Sequence, residues 1–207
     1  MLLVHIAGGT VSLITGLGAM ISAKGEHVHR LFGKIYFWSM TTVFLSAVVL
    51  SLAHSKTFLL MVAFFSYYFA VRGYRILFQK GMGGVVRATW VDVFIGAVAG
   101  VFIVSLGIWG ITEFINGDMM GTVAIAFCSI GTTFLIGDIR KVSTRQEKMH
   151  WWYGHIAAMG ASYISATTAF VVVNIKLPEF GWTLWILPSI IGSVLIARTI
   201  RKYKLKF

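Results

Sequence analysis

Seven apolar stretches of about 18 to 24 residues follow one another at about positions 2–22, 35–54, 57–78, 91–115, 119–138, 151–174 and 182–199. A bilayer's hydrocarbon core of about 30 Å takes about 20 helical residues to cross. Inside lipid the backbone must satisfy its own hydrogen bonds, which a helix does within one segment. The pattern predicts an all-α fold, a seven-transmembrane-helix bundle. Seven helices of about 21 residues occupy about 147 of the 207 positions, so residues 1–207 read as a single integral membrane domain. The charged fraction of 12%, against about 25% in soluble domains, excludes a water-soluble fold.

A net charge of +11 could point to nucleic acid, but the positions of the charges point elsewhere. Lys24, Arg30 and Lys34 follow the first span, and Arg72, Arg75, Lys80 and Arg87 lie at or after the end of the third. Arg140, Lys141, Arg145 and Lys148 follow the fifth, and Arg198, Arg201, Lys202, Lys204 and Lys206 close the chain. Only Lys56 and Lys176 fall on the other side. The positive-inside rule then predicts an amino terminus outside and a carboxyl terminus in the cytoplasm. The expected partners are the bilayer and anionic lipid at the cytoplasmic face, not nucleic acid. The first span lacks a basic leading region, so it is not read as a cleaved signal peptide.

The outer connections His54-Ser55-Lys56, Asn116-Gly117-Asp118 and Lys176 to Gly181 are short, which makes the helices they join antiparallel neighbours. Trp90, Trp151, Trp152 and Trp182 stand at span ends, where indole favours the membrane interface. Gly96 and Gly100, and Gly8, Gly9, Gly16 and Gly18, predict close helix approach. The lone Cys128 reads as a small core residue.

Glu26-x-x-His29-x-x-Phe32-Gly33-x-Ile35 leads into the second span, and Glu147-x-x-His150-x-x-Tyr153-Gly154-x-Ile156 leads into the sixth. The same 121-residue offset pairs Gly16 with Gly137 and Ser22 with Ser143. Chance competes with duplication here. If the match is a duplication, repeats 1–78 and 119–199 are joined by the helix 91–115, a 3+1+3 parallel arrangement.

Ionisable groups inside spans are costly and mark function by default. His155 shares a helical stripe with Ser162, Ala166, Ala169 and Val173, a small and partly polar face expected to look into the bundle. His150 lies five residues earlier, about 140° around the helix, so the two do not naturally meet one ion. His29 carries the repeated pattern, His27 reads as solvated, His5 lies toward the outer end, and His54 is interfacial. Asp92 opens the fourth span as a favourable amino-terminal charge, and Asp138 closes the fifth beside Arg140 and Lys141. Arg72 is expected to snorkel to the headgroups, and Asn174 is a further polar candidate.

His5 in a Gly-rich opening helix, Lys24-Gly25, His29-Arg30, Gly33 and Tyr36 form one constellation. His155-Ile-x-x-Met159-Gly160-x-x-Tyr163-Ile164, with Thr168-Ala169-Phe170 and Asn174, forms a second. Together they resemble a prokaryotic family of multi-pass predicted membrane proteins of unknown function, over most of the chain. The resemblance implies a bacterial cytoplasmic (inner) membrane protein and brings no activity with it.

Four functional classes remain open. The first is a hydrolytic or redox metal site, with zinc or another divalent metal held by His29, Asp138 and His155 and supported by His150 or Asp92; three protein ligands plus a water suit catalytic zinc. This resembles the seven-helix zinc hydrolases of the ceramidase and adiponectin-receptor type, although their His-x-x-x-His pair is absent. The second is a haem b electron carrier, with His5 facing His54 and His29 facing His155 as axial pairs; the length of the second span argues against haem depth. The third is a small-solute or ion transporter built on the 3+1+3 repeat, similar to seven-helix sugar carriers only in helix count and orientation. The fourth is a membrane scaffold.

Overall fold

The computed structural model describes residues 1–80 and 87–205, apart from the side chain of Ser143. Lys206, counted above among the basic residues, lies outside the described residues, as does the Ser143 side chain of the repeat pairing. Seven helices and no strand are found among the described residues: α1 (Leu2–Ile21), α2 (His27–Ala53), α3 (Thr57–Arg75), α4 (Trp90–Ile115), α5 (Met120–Ser143), α6 (His150–Asn174) and α7 (Thr183–Lys204). A 3-10 turn, Ile76–Gln79, prolongs α3. All seven helices are long and apolar enough to cross a membrane, which suits a multi-pass membrane protein.

The helices outrun the apolar stretches at the end that carries the basic residues. α2 begins eight residues before position 35, and α5 continues five residues past 138. Hydropathy marks where a helix crosses hydrocarbon, whereas its backbone hydrogen bonds carry on into the polar layer. His29 consequently sits in the first turn of α2 rather than in a loop.

The short turns at the end opposite the basic residues give the expected neighbours, with α2 on α3, α4 on α5 and α6 on α7. Ser55 (φ 53°) and Gly117 (φ 85°) supply left-handed residues for two of these turns. α3 occupies the middle, packing on α2, α4 and α6. Its Phe65 and Phe69, with Ile103 and Leu106 of α4 and Val123, Ala124 and Phe127 of α5, form the main core. Phe65 stacks on Phe127 at 5.2 Å between ring centres.

Close helix approach falls at other glycines than Gly96 and Gly100. A Cβ on Gly96 would meet nothing within 4 Å, and one on Gly100 only Leu135 at 3.9 Å. The contact between α4 and α5 is made two and more turns further on, where a Cβ on Gly110 would lie 2.9 Å from Ala124 Cβ and 3.0 Å from Gly121 O. Gly107 makes room for Cys128 Sγ in the same interface. On α1 the expectation holds for Gly8, Gly16 and Gly18 and fails for Gly9, which faces open space.

Of the four tryptophans assigned to the interface, Trp90 is exposed, while Trp151 is buried and Trp182 packs on the core. An indole at a span end is equally able to close the bundle's end. α1 packs extensively on α2, whereas α5 packs on α4 and makes no comparable contact with α6 among the described residues.

Candidate functional site

Four helices converge at the basic end around two imidazoles. His29, in the first turn of α2, reaches across to α1, where its Nδ1 lies 2.9 Å from Ala19 O. His155 of α6 reaches across to α3, with Nδ1 2.8 Å from Gly73 O. A carbonyl only accepts, so each Nδ1 carries a proton and donates it; in the neutral form of either ring Nε2 is then the free acceptor or ligand nitrogen. The ring centres are 6.3 Å apart with the planes at 75°. Both residues are partly buried.

Small residues permit this convergence. Gly73 presents its carbonyl to His155 because α6 lies against it without an intervening side chain; a Cβ there would stand 2.7 Å from Met159 Cγ. Deeper in the bundle, Tyr36 of α2 hydrogen-bonds Ser162 of α6 at 2.8 Å, and Tyr163 donates to Leu13 O of α1 at 3.2 Å. A Cβ on Gly16 would meet Tyr36 Cδ2 at 3.0 Å. Ser162 is fully buried, so the inner half of the His155 stripe faces the bundle as expected. The outer half does not: Ala169 and Val173 are exposed.

Lys24, in the connection after α1, caps that helix by donating to Ala19 O at 3.1 Å, to Met20 O and to Ser22 O at 3.2 Å. Partial burial there pushes its ammonium below the ordinary lysine range.

The structure separates the remaining members of the expected metal set. Asp138 is engaged on the far side of α3, where Arg72 Nε donates to its Oδ1 at 2.7 Å and Oδ2 at 2.6 Å, Tyr68 OH donates at 2.7 Å, and Lys141 Nζ lies at 3.3 Å. Arg72, expected to reach for headgroups, is paired with a carboxylate on a neighbouring helix, and pairing removes the penalty of two separate charges. Asp92 caps α4 in a reciprocal box with Thr89 and pairs with Arg75 at 2.6 Å. His150 opens α6, with Nδ1 on Glu147 O at 2.8 Å and Nε2 3.2 Å from Gln79 Oε1. Among the described residues, no group of three or more His, Cys, Asp or Glu side chains is placed to hold a metal ion. The set of His29, Asp138 and His155 thus reduces to its two histidines.

At the opposite end, His5 Nδ1 meets Ser46 Oγ at 3.1 Å, and His54 Nδ1 donates to Leu50 O of its own helix at 2.9 Å. These partners differ from those an outer haem pair would need. Asn174 donates to Phe170 O and caps nothing beyond its own turn. The aligned His29 and His150 also differ in role, one facing another imidazole and the other bonding Gln79.

Searches against protein families, curated proteins and solved structures find no significant match.

Proposed function

We propose that this is a multi-pass membrane protein whose functional centre is the imidazole pair His29 and His155, a site for one divalent transition-metal ion at the cytoplasmic end of the bundle. The observation that carries the reading is the fixed tautomer of both rings: each Nδ1–H is spent on a carbonyl of a third helix. Metal-ligating histidines characteristically donate their other ring N–H in this way, which orients the ring and raises the basicity of the ligating nitrogen. An ion held about 2.0–2.1 Å from each Nε2 sets ring centres roughly 5 to 6 Å apart, close to the observed 6.3 Å. Zinc suits neutral imidazole, and with protein ligands at two positions the others fall to water or substrate. Such an ion supplies Lewis acidity and lowers the pKa of bound water.

The basic end is placed in the cytoplasm on the strength of the lysine and arginine bias. A bacterial inner membrane follows from the family resemblance alone.

The test is metal retention by the purified full chain. After loading with Zn2+ or Co2+ and desalting, about one equivalent per chain is expected in the wild type. Loss is expected in His29→Ala and in His155→Ala, with retention in Asp138→Asn. Binding that neither histidine substitution alters, or no binding at all, would end the proposal. A Soret absorption band that disappears in His29→Ala would reassign the pair to haem.

A further inference from the structure

A narrow cavity of about 310 Å³ lies on the other side of α3 and α6 from the histidine pair. It runs beside α7 from Trp185 to Ile200, about 22 Å at the rise of a helix. A volume near the lower limit for ligand pockets, drawn out over that length, is one hydrocarbon chain wide. Its walls are chiefly apolar, with Phe65, Phe69, Phe127 and Phe134 on one side and α6 and α7 on the other. The cavity is partly open, and α5 and α7, which border it, meet only marginally. Two of the wall hydroxyls, Ser165 and Thr168, donate to carbonyls of their own helix and ask nothing polar of an occupant.

The end nearest the basic side is different. The Arg72 guanidinium lies 5.0 Å over the ring of Phe134, the last α5 residue of the wall. Arg72 and Lys141 face the single carboxylate of Asp138, leaving an excess of one positive charge. The Arg72 side chain is only 10% exposed, and its Nη1 is buried without a hydrogen-bond partner among the described residues. Trp152 Nε1, on the same end of α6 with its ring against Tyr203 of α7, is a second buried donor without an acceptor among the described residues. The slot closes at this end on the ring of Phe134, with the spare donors and the uncompensated positive charge behind that wall. An apolar slot one ring away from such charge is complementary to a single-chain anionic amphiphile whose head displaces the ring. Arg72 lies seven residues short of the end of the 3-10 turn at Gln79, about 10 Å by helix rise. A phosphodiester headgroup held in the interfacial layer stands above that depth, while a compact carboxylate on a straight chain reaches it.

We infer that the slot between α3, α5, α6 and α7 binds one long-chain fatty carboxylate from the bilayer, its tail along α7 and its carboxylate against Arg72.

The full chain, in phosphatidylcholine nanodiscs, is titrated with stearate carrying a doxyl quencher near its methyl end, and with the methyl ester of the same probe. The signal is the tryptophan quenching that is lost in Trp185→Phe. Saturable quenching by the acid is expected, at least tenfold weaker for the ester. Ala197→Phe, which fills the slot from an exposed position on a helix without buried residues, is expected to abolish it while leaving the far-ultraviolet circular dichroism unchanged. Should Ala197→Phe prove unfolded, Ser193→Phe from the same wall takes its place. Equal quenching by acid and ester overturns the inference, as does quenching indifferent to both slot-filling substitutions. Displacement of the probe by phosphatidylglycerol in preference to unlabelled stearate also overturns it and assigns the slot to ordinary membrane lipid.

Discussion

Asp138→Asn is the substitution that most directly tests how α3 and α5 are held together. It removes the carboxylate that receives Arg72, Tyr68 and Lys141 while preserving the shape of the side chain. Breaking a buried pair by removing one charge costs about 3–5 kcal/mol, because the other charge stays behind. Arg72 is 10% exposed and Asp138 34%, so water can partly reach the site once it is altered, and the lower end, about 3 kcal/mol, applies. An amide still offers one oxygen to Tyr68 or Arg72, which pulls in the same direction. The double substitution Arg72→Met with Asp138→Leu removes both charges, and replacement of a buried pair by apolar groups is often neutral or stabilising. Equilibrium unfolding of the purified protein in mixed detergent micelles, followed by circular dichroism, measures both variants. The single variant is expected to lose about 3 kcal/mol and the double variant to recover most of it. A loss below about 1 kcal/mol, the range of exposed pairs, or a double variant weaker than the single one, would refute a desolvated ion pair between α3 and α5.

Two further outcomes follow from packing. Gly73→Ala places a methyl 2.7 Å from Met159 Cγ and 3.0 Å from the Met159 backbone N, so α6 must move; a loss of about 1–3 kcal/mol is expected from overpacking, with weaker metal retention at His155, and unfolding together with metal stoichiometry checks it. Thr89→Ala removes the side-chain cap of α4 and the acceptor for Arg75 Nη2 at 2.9 Å; thermal unfolding should show a loss of about 1 kcal/mol, and an unchanged stability would mean that Asp92 alone holds that end.

Hydropathy makes the seven helices and their antiparallel neighbours legible, because crossing lipid leaves one solution for the backbone and short turns leave one for the pairing. Helix ends are less legible, since α2 continues for two turns beyond the point where apolar residues give way to Lys34 and Arg30. Side-chain partners were legible only where they are local. Asp92 as a cap needed nothing beyond its own first turn. Arg72 and Asp138 each have a candidate local partner in the sequence, lipid headgroups for one and Arg140 and Lys141 for the other, although opposite charges inside two spans are themselves a reason to pair them. Tyr68 and Tyr36 offered no such cue, because a tyrosine in an apolar run looks like core until a partner hydroxyl or carboxylate is placed beside it.

The histidine pair shows why spacing within one helix was a poor guide to the site. His29 and His155 are brought together by a contact between α2 and α6, and each is oriented by a carbonyl from a different third helix, Ala19 on α1 and Gly73 on α3. Adjacent residues of α3 then serve opposite sides: Gly73 gives its carbonyl to His155, while Arg72 turns to Asp138 at the head of the apolar slot. Successive residues of a helix point about 100° apart, so one central helix can carry both environments with a single turn between them. Any shift of α3 along its axis would move the acceptor of His155 and the guanidinium of Arg72 together. The position of α3 against α6 is therefore common to the imidazole pair and the slot, and Gly73, the residue that lets the two helices touch, fixes it.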